Sequence, residues 1–272
     1  MNLKEGFEFI DKIEELSAMP AIALDVMAML NDPSSSVHSI VEKVQLDQAM
    51  ISYILKNCNS ALYGVRTQIT SVKMAINMLG YTNVKSILMA YFLRNLYNLS
   101  GKNEVKNYLW KHSISVAVLA RNLGEKLRVD PEETYLAGLL HDIGKMVLYL
   151  DNREMYGQVI EQVRDHHKEF IDVENELFQF SHVDAGYFLM EKWKFSDSLK
   201  EVALNHHELE FFMGPDQLIG IVAFADKLAC IFLEQRQGNL DPFLERYNIS
   251  EQQLDDIVKE SLKKIETYTS IL

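Results

Sequence analysis

The sequence predicts an all-α protein, and three observations carry that expectation. Apolar residues recur at helical spacing through most of the chain, and runs of alternating β-branched residues are almost absent. The 5 prolines (Pro20, Pro33, Pro131, Pro215 and Pro242) each sit in a turn-like cluster, where they punctuate helices rather than interrupt them. Finally, the 272 residues are 48% apolar and 24% charged, ordinary values for a globular chain able to bury one large core or two modest ones.

The elements follow in chain order. Val26, Met29 and Leu30 end a first periodic run. Asn31-Asp32-Pro33-Ser34-Ser35-Ser36 reads as a loop whose serines can cap a helix through Ile40 and Val44. Residues 48–58 and 71–79 predict two short helices separated by a turn at Gly64, and 83–98 a longer helix. Gly101-Lys102-Asn103 is the expected boundary, which gives three parts: 1–100, 101–240 and 241–272. The last part keeps helical spacing at Leu254, Ile257, Leu262 and Ile265 and predicts a C-terminal helix or helix pair.

Charge and composition exclude several functions. Lys and Arg number 27 against 39 Asp and Glu, a net charge of −12. Residues 1–100 are nearly balanced, with 8 basic and 9 acidic side chains; the acidity lies in residues 101–272. Such a surface repels phosphate backbones at long range, so binding along a nucleic-acid backbone is not expected. The longest charge-free run, Met74 to Val84, is far shorter than the ~20 apolar residues of a membrane span. The N-terminus has no basic region followed by an apolar core, so no secretory signal is read there. Two cysteines, Cys58 and Cys230, cannot build a disulfide framework, and a reducing cytoplasm is the simplest compartment.

The chemistry lies in polar residues placed on apolar helix faces. Val105, Leu109, His112, Val116, Leu119 and Leu123 form one stripe with a histidine at its centre. Asp226 occupies the same position among Ile219, Val222, Ala229 and Leu233. His182 lies between Phe178 and Ala185, and His206-His207 follows Leu199, Val202 and Ala203. His141-Asp142 follows Leu136, Leu139 and Leu140. A single buried histidine is ordinary, but five such segments in one chain point to a shared partner, because buried carboxylates must be paired, bonded or coordinated. Imidazole with carboxylate suits zinc, iron, manganese or nickel, and the lack of cysteine in the set disfavours a structural zinc site. Read as neighbours on a helix, His141 and Asp142 point about 100° apart, so Asp142 could bridge two cations. Gly138 and Gly144 flank the pair and would let neighbouring backbone come close. Lys145 lies near the same face as a candidate anion contact.

With these residues assembled, the chain resembles a known family. His112, His141-Asp142-Ile143-Gly144-Lys145 and Asp226 are similar to the H…HD…D pattern of HD-superfamily metal-dependent phosphohydrolases. Met19-Pro20-Ala21, Asn31-Asp32-Pro33, Asn59-Ser60-Ala61-Leu62-Tyr63-Gly64, Ile69-Thr70-Ser71-Val72, Ala75-Ile76 to Leu79-Gly80 and Trp110-Lys111-His112-Ser113 resemble the HDOD branch, associated with bacterial signal transduction. The likeness covers residues 12–230 and implies a helical N-terminal subdomain packed on an HD-type metal-binding subdomain. Many HDOD members have lost the ligands, whereas His112, His141, Asp142, His182, His206, His207 and Asp226 are all present here. That set is similar to the HD-GYP branch, which hydrolyses cyclic di-GMP. The Gly-Tyr-Pro segment of that branch, however, is replaced after His206-His207-Glu208 by Leu209-Glu210-Phe211-Phe212-Met213-Gly214-Pro215. Tyr108, one turn before His112, stands where a carboxylate could serve a third metal, so one or two divalent transition metals are expected, iron or manganese ahead of zinc. The first expectation for function is a signalling protein with an intact HD site, acting through regulation or interaction with other signalling proteins. The alternative is a phosphohydrolase of a nucleotide or cyclic dinucleotide, with Asp142 and Lys145 in the catalytic roles.

Overall fold

The structure is a computed structural model that describes residues 3–13, 22, 25–26, 28–29, 32, 34–60, 63–98, 104–166, 168–208 and 216–271. No strand occurs among them. The expected boundary at 101–103, the segment 209–215 and the motif residues 19–21, 31, 33, 61 and 62 lie outside the described residues, as does Leu30 of the first periodic run.

After α1 (Leu3–Lys12) come α2 (Val37–Val44), α3 (Gln48–Cys58) and α4 (Val72–Leu79). Each of the last three starts at a side-chain cap. Ser36 Oγ accepts from the Ser39 N–H, an Asp47 carboxylate oxygen from Ala49 and Met50, and Ser71 Oγ from Met74. Helix α5 (Tyr81–Asn98) begins two residues before the expected 83. Gly80 between α4 and α5 has φ 85°, open to glycine at no steric cost, so the chain turns there and resumes a helix at once.

Helix α6 (Glu104–Leu127) is the central strut. It packs against α5, α7 (Pro131–Leu140), α13 (Gln217–Phe232) and α15 (Glu251–Ile271). Helices α8 (Ile143–Asp151), α9 (Arg153–His166) and α10 (Phe170–Phe178) follow α7. Helix α8 packs on α11 (His182–Lys192), which also meets α1 and α12 (Asp197–Asn205). The C-terminal part is a helix pair, α14 (Asp241–Tyr247) and α15. Polar bonds add to the docking of α15 on α6: Asn122 Nδ2 donates to Ser261 Oγ at 2.7 Å, and Lys264 Nζ donates to Asn122 Oδ1 at 2.8 Å.

Buried apolar residues from Ile10 to Ile265 form one core that includes both sides of the expected boundary. Two polar links cross it as well. Tyr97 on α5 shares a 3.3 Å hydrogen bond with Ser113 on α6, and Arg121, itself 2.6 Å from Glu132, donates to Asn83 Oδ1 at 3.4 Å. No helix of the described residues is long and apolar enough to cross a membrane.

Candidate metal centre

Five parts of the fold converge on one point. His112 comes from the middle of α6, where its apolar stripe faces the core. The pair His141-Asp142 differs from expectation: it lies at the junction of α7 and α8, not within a helix. His141 is the last cap of α7, and Asp142, at φ −104° and ψ 15°, starts α8 without using its side chain as a cap. The carboxylate is thereby free to turn inward. His182 opens α11, His206 and His207 follow the end of α12, and Asp226 lies in α13.

The close approach of α8 and α11 depends on glycine. A Cβ at Gly144 would stand 1.8 Å from the His182 carbonyl oxygen and 2.6 Å from the Gly186 nitrogen. Only a residue without Cβ lets the two backbones meet, and that contact sets His182 against Asp142.

Each of four histidines is oriented through Nδ1. His141 Nδ1 lies 2.7 Å from the Gly138 carbonyl, and His206 Nδ1 lies 3.1 Å from the Val202 and Ala203 carbonyls. His182 Nδ1 lies 2.6 Å from Glu174, and His112 Nδ1 lies 2.7 Å from Glu234. Carbonyls and carboxylates only accept, so Nδ1 carries a proton in each ring, and Nε2, once unprotonated, presents its lone pair to the interior. Both carboxylates are themselves held. Glu174 also accepts from Tyr156 Oη (3.0 Å) and the His182 backbone N–H (2.8 Å), and Glu234 from Tyr108 Oη (2.9 Å).

Asp142 stands among these lone pairs and divides them. Its Oδ2 faces Nε2 of His112 at 3.3 Å and of His141 at 3.2 Å. Its Oδ1 faces Nε2 of His182 at 3.3 Å and of His206 at 3.5 Å. Asp226 Oδ1 adds to the first group, 3.1 Å from His112 Nε2, and His207 Nε2 to the second, 3.1 Å from His182 Nε2. Nε2 of His112, His141 and His206, and Oδ1 of Asp142, are buried and have no hydrogen-bond partner. Leaving four such atoms unsatisfied is costly, and all four point at the same place. A divalent metal satisfies them together, so the residues present fit such an ion; imidazole and carboxylate donors are those of a transition metal.

The electrostatics are consistent with this. Burial alone would raise the Asp142 pKa, but His141, Lys145 and His112 hold it well below the usual carboxylate range. Asp226 is likewise held well down against burial, mainly by His112. The imidazoles differ. Burial lowers the His112 pKa, but Glu234, Asp142 and Asp226 prevail and hold it well above its ordinary value. For His207, burial and the neighbouring His206 and His182 push it well below.

Lys145 lines the cavity over the centre, on the side where an anion contact is expected. It is buried, with Nζ 2.5 Å from Asp142 Oδ2 and 4.1 Å from the centre of the Phe170 ring. Burial opposes its charge, yet the Asp142 and Asp226 carboxylates hold its pKa above the ordinary lysine value. A cavity of about 510 Å³ opens over the centre, with Tyr108, His112, Phe170, Asp226, Cys230 and Glu234 in its lining. Burial and the nearby Asp226 carboxylate push the Cys230 thiol up to about 12.

Glu174 and Glu234 are not legible as site residues from motif or stripe reading. Glu234 had a signal: Asp226, Cys230 and Glu234 are spaced by four, the step that continues one helix face. Glu174 had a weaker one, a carboxylate beside the apolar Val173, Leu177 and Phe178.

An all-α chain gathering histidines and aspartates around a HD pair defines a class, the HD-type helical proteins. Within that class the chain belongs to the HDOD family: the HDOD domain matches residues 16–209. An uncharacterized protein of Treponema pallidum is 22% identical over 223 residues, covering 79% of this chain and 42% of that protein. Ribonuclease Y of Pseudothermotoga lettingae is 29% identical over 135 residues, covering 50% of this chain and 21% of the enzyme. The chain therefore spans less than half the length of these curated relatives. Among solved structures, a candidate phosphohydrolase of Shewanella amazonensis superposes with a TM-score of 0.75 at 20% identity, covering 97% of this chain and 98% of that one. A candidate metal-dependent phosphohydrolase of the same organism gives 0.68 at 22% identity, covering 97% and 99%. At these identities the likeness establishes the shared fold.

Proposed function

We propose that the centre holds two divalent transition metals, iron or manganese ahead of zinc, and hydrolyses a small phosphoester. The observation that carries this reading is the division of the imidazoles between the two oxygens of Asp142. One ion would be held by His112, His141, Asp226 and Asp142 Oδ2, the other by His182, His206, His207 and Asp142 Oδ1. Such a pair supplies a Lewis acid and a bound water whose pKa falls to about 7.

The chain's own residues do the rest. Lys145 keeps Asp142 anionic and adds positive charge beside the reacting phosphate. Glu234 and Glu174 fix the ring orientation of His112 and His182, one on each side of Asp142. The cavity admits a substrate of nucleotide size, and Phe170 and Phe243 offer it apolar walls. Ribonuclease Y, by its name, acts on RNA; the net charge of −12 argues here for a small phosphoester instead. Cyclic di-GMP is expected to be a poor substrate, since residues 209–215 lack a Gly-Tyr-Pro segment.

One observation favours a second reading, regulation through contact with other signalling proteins. Among the described residues, α2 to α5 contribute no side chain to the centre or to its cavity, so this region is free for another task. Elemental analysis of purified protein, followed by phosphoester turnover after manganese or iron loading, separates the readings. Two metals per chain and turnover lost in Asp142→Ala are expected. Bound metal without turnover transfers the function to the second reading, and absence of metal from carefully prepared protein overturns the two-metal centre.

A further inference from the structure

Cys230 has no part in the centre described above, yet it lines the same cavity. The other cysteine, Cys58, is 0% exposed in the apolar core. The Cys230 thiol donates to Asp226 Oδ1 at 3.7 Å, one turn back along α13, and Glu234 lies four residues further on. A sulfur of Cys230, a carboxylate oxygen of Glu234 and a ring nitrogen of His112 all lie within 4.8 Å of one another. Donors bonded to one tetrahedral cation at about 2.0–2.3 Å stand roughly 3–4 Å apart, so small side-chain rotations close the set.

We propose that Cys230, Glu234 and Nδ1 of His112 form a site for one thiophilic divalent cation of the zinc and cadmium class, distinct from the positions around Asp142. Sulfur sets the preference, because thiolate selects soft cations whereas the Asp142 centre offers only nitrogen and oxygen. The two carboxylates, Asp226 and Glu234, supply negative charge. Arg236, whose guanidinium donates to the sulfur at 3.9 Å, opposes the cation but favours the thiolate. Tyr108 Oη holds Glu234 Oε2, which leaves Oε1 to turn from His112 to the cation.

The protons balance. Cys230 releases its thiol proton to solvent as the sulfur–metal bond forms. Coordination at Nδ1 leaves the remaining ring proton of His112 on Nε2, 3.1 Å from Asp226 Oδ1. A protonated Nε2 cannot coordinate, so the soft cation withdraws His112 from the Asp142 centre. The soft cation thus competes with any metal on the His112 side of the Asp142 centre, and its site exists whether or not that centre hydrolyses a phosphoester.

The test uses metal-free full-length protein titrated with cadmium and followed by the ultraviolet sulfur-to-cadmium charge-transfer band. One sulfur-bound cadmium per chain, with release of protons on binding, is expected. Cys230→Ser should abolish the band, and Glu234→Gln should keep it while weakening affinity about tenfold or more. No band in the unaltered protein, a band that survives Cys230→Ser, or unchanged affinity in Glu234→Gln would each overturn the proposal. Manganese binding measured separately reports on the Asp142 centre, since no sulfur serves it. Manganese bound without a cadmium band refutes this site alone, and a cadmium band without manganese binding supports this site while removing the two-metal centre.

Discussion

Helices α2 to α5 and helices α6 to α13 are built from the same kind of amphipathic segment, but they bury different things. In the first region the buried set is apolar except for Asn57 and Ser86, and Asn57 Nδ2 is bonded to the Tyr53 carbonyl. In the second, His112, His141, Asp142, Lys145, Glu174, His182 and His206 are all buried. The first region is stabilised by removing apolar surface from water, at roughly 25 cal/mol per Å². The second carries charges whose desolvation opposes folding and is offset only by one another or by a bound cation. Stability and chemistry are therefore separable along this chain, and substitutions should reveal the division.

The largest effect is expected from Asp142→Ala. It removes the carboxylate that links the two groups of histidines and strands Lys145 in the interior, a loss of about 3–5 kcal/mol. Calorimetry should show a lower melting temperature and elemental analysis the loss of metal. Ile54→Ala is the counterpart in α3, at a 0% exposed position. It should cost about 2–4 kcal/mol by denaturant titration and leave metal content untouched. A change in metal content there would dissolve the distinction between the regions.

Gly144→Ala sharpens the comparison, because its Cβ meets backbone rather than a flexible side chain. A loss of about 1–3 kcal/mol is expected, with metal lost first from the side that His182 would serve. Glu174→Gln keeps the shape of its site and should lower metal affinity about 10–100-fold, read by competition with a chelator.

The smallest effect belongs to Tyr97→Phe at the contact of the two regions. Losing the bond to Ser113 should cost about 1 kcal/mol at neutral pH. Burial pushes the Tyr97 phenol up to about 12, above an unfolded value near 10. For this raised acid, the stabilising contribution is complete below pH ~10 and is lost as pH rises toward 12. The variant should show a shallower fall in stability over that interval, and an identical alkaline limb in both proteins would remove Tyr97 as its cause.

Much of this was legible in the sequence because local rules dominated. The helix expected over 48–58 is Gln48–Cys58, and Ser71 caps the helix expected from 71. The seven residues singled out by polar intrusion into apolar stripes do meet around Asp142. What local rules could not give was orientation. A continuous helix through His141-Asp142 would set the two side chains about 100° apart, whereas the chain breaks there and aims Asp142 inward. Lys145, expected as an anion contact, also pairs with Asp142, three residues earlier and turned inward by the same break. Glu174 lies on a helix whose other faces are ordinary, and its role exists only once α10 meets α11.

The order in which the chain is made has its own consequence. The HDOD match ends at residue 209, but Asp226 and Glu234, which touch His112, come after it. A nascent chain that has emerged only through His207 possesses the imidazoles and Asp142 but not the carboxylates that close the His112 side. Closing that side brings residues far apart in the chain together, and the cost in loop entropy falls on α13, the last contributor to the centre. Capture of a cation on the His112 side would thus come late in the life of the polypeptide. A fragment trimmed to the family boundary would carry the histidines of the centre without Asp226.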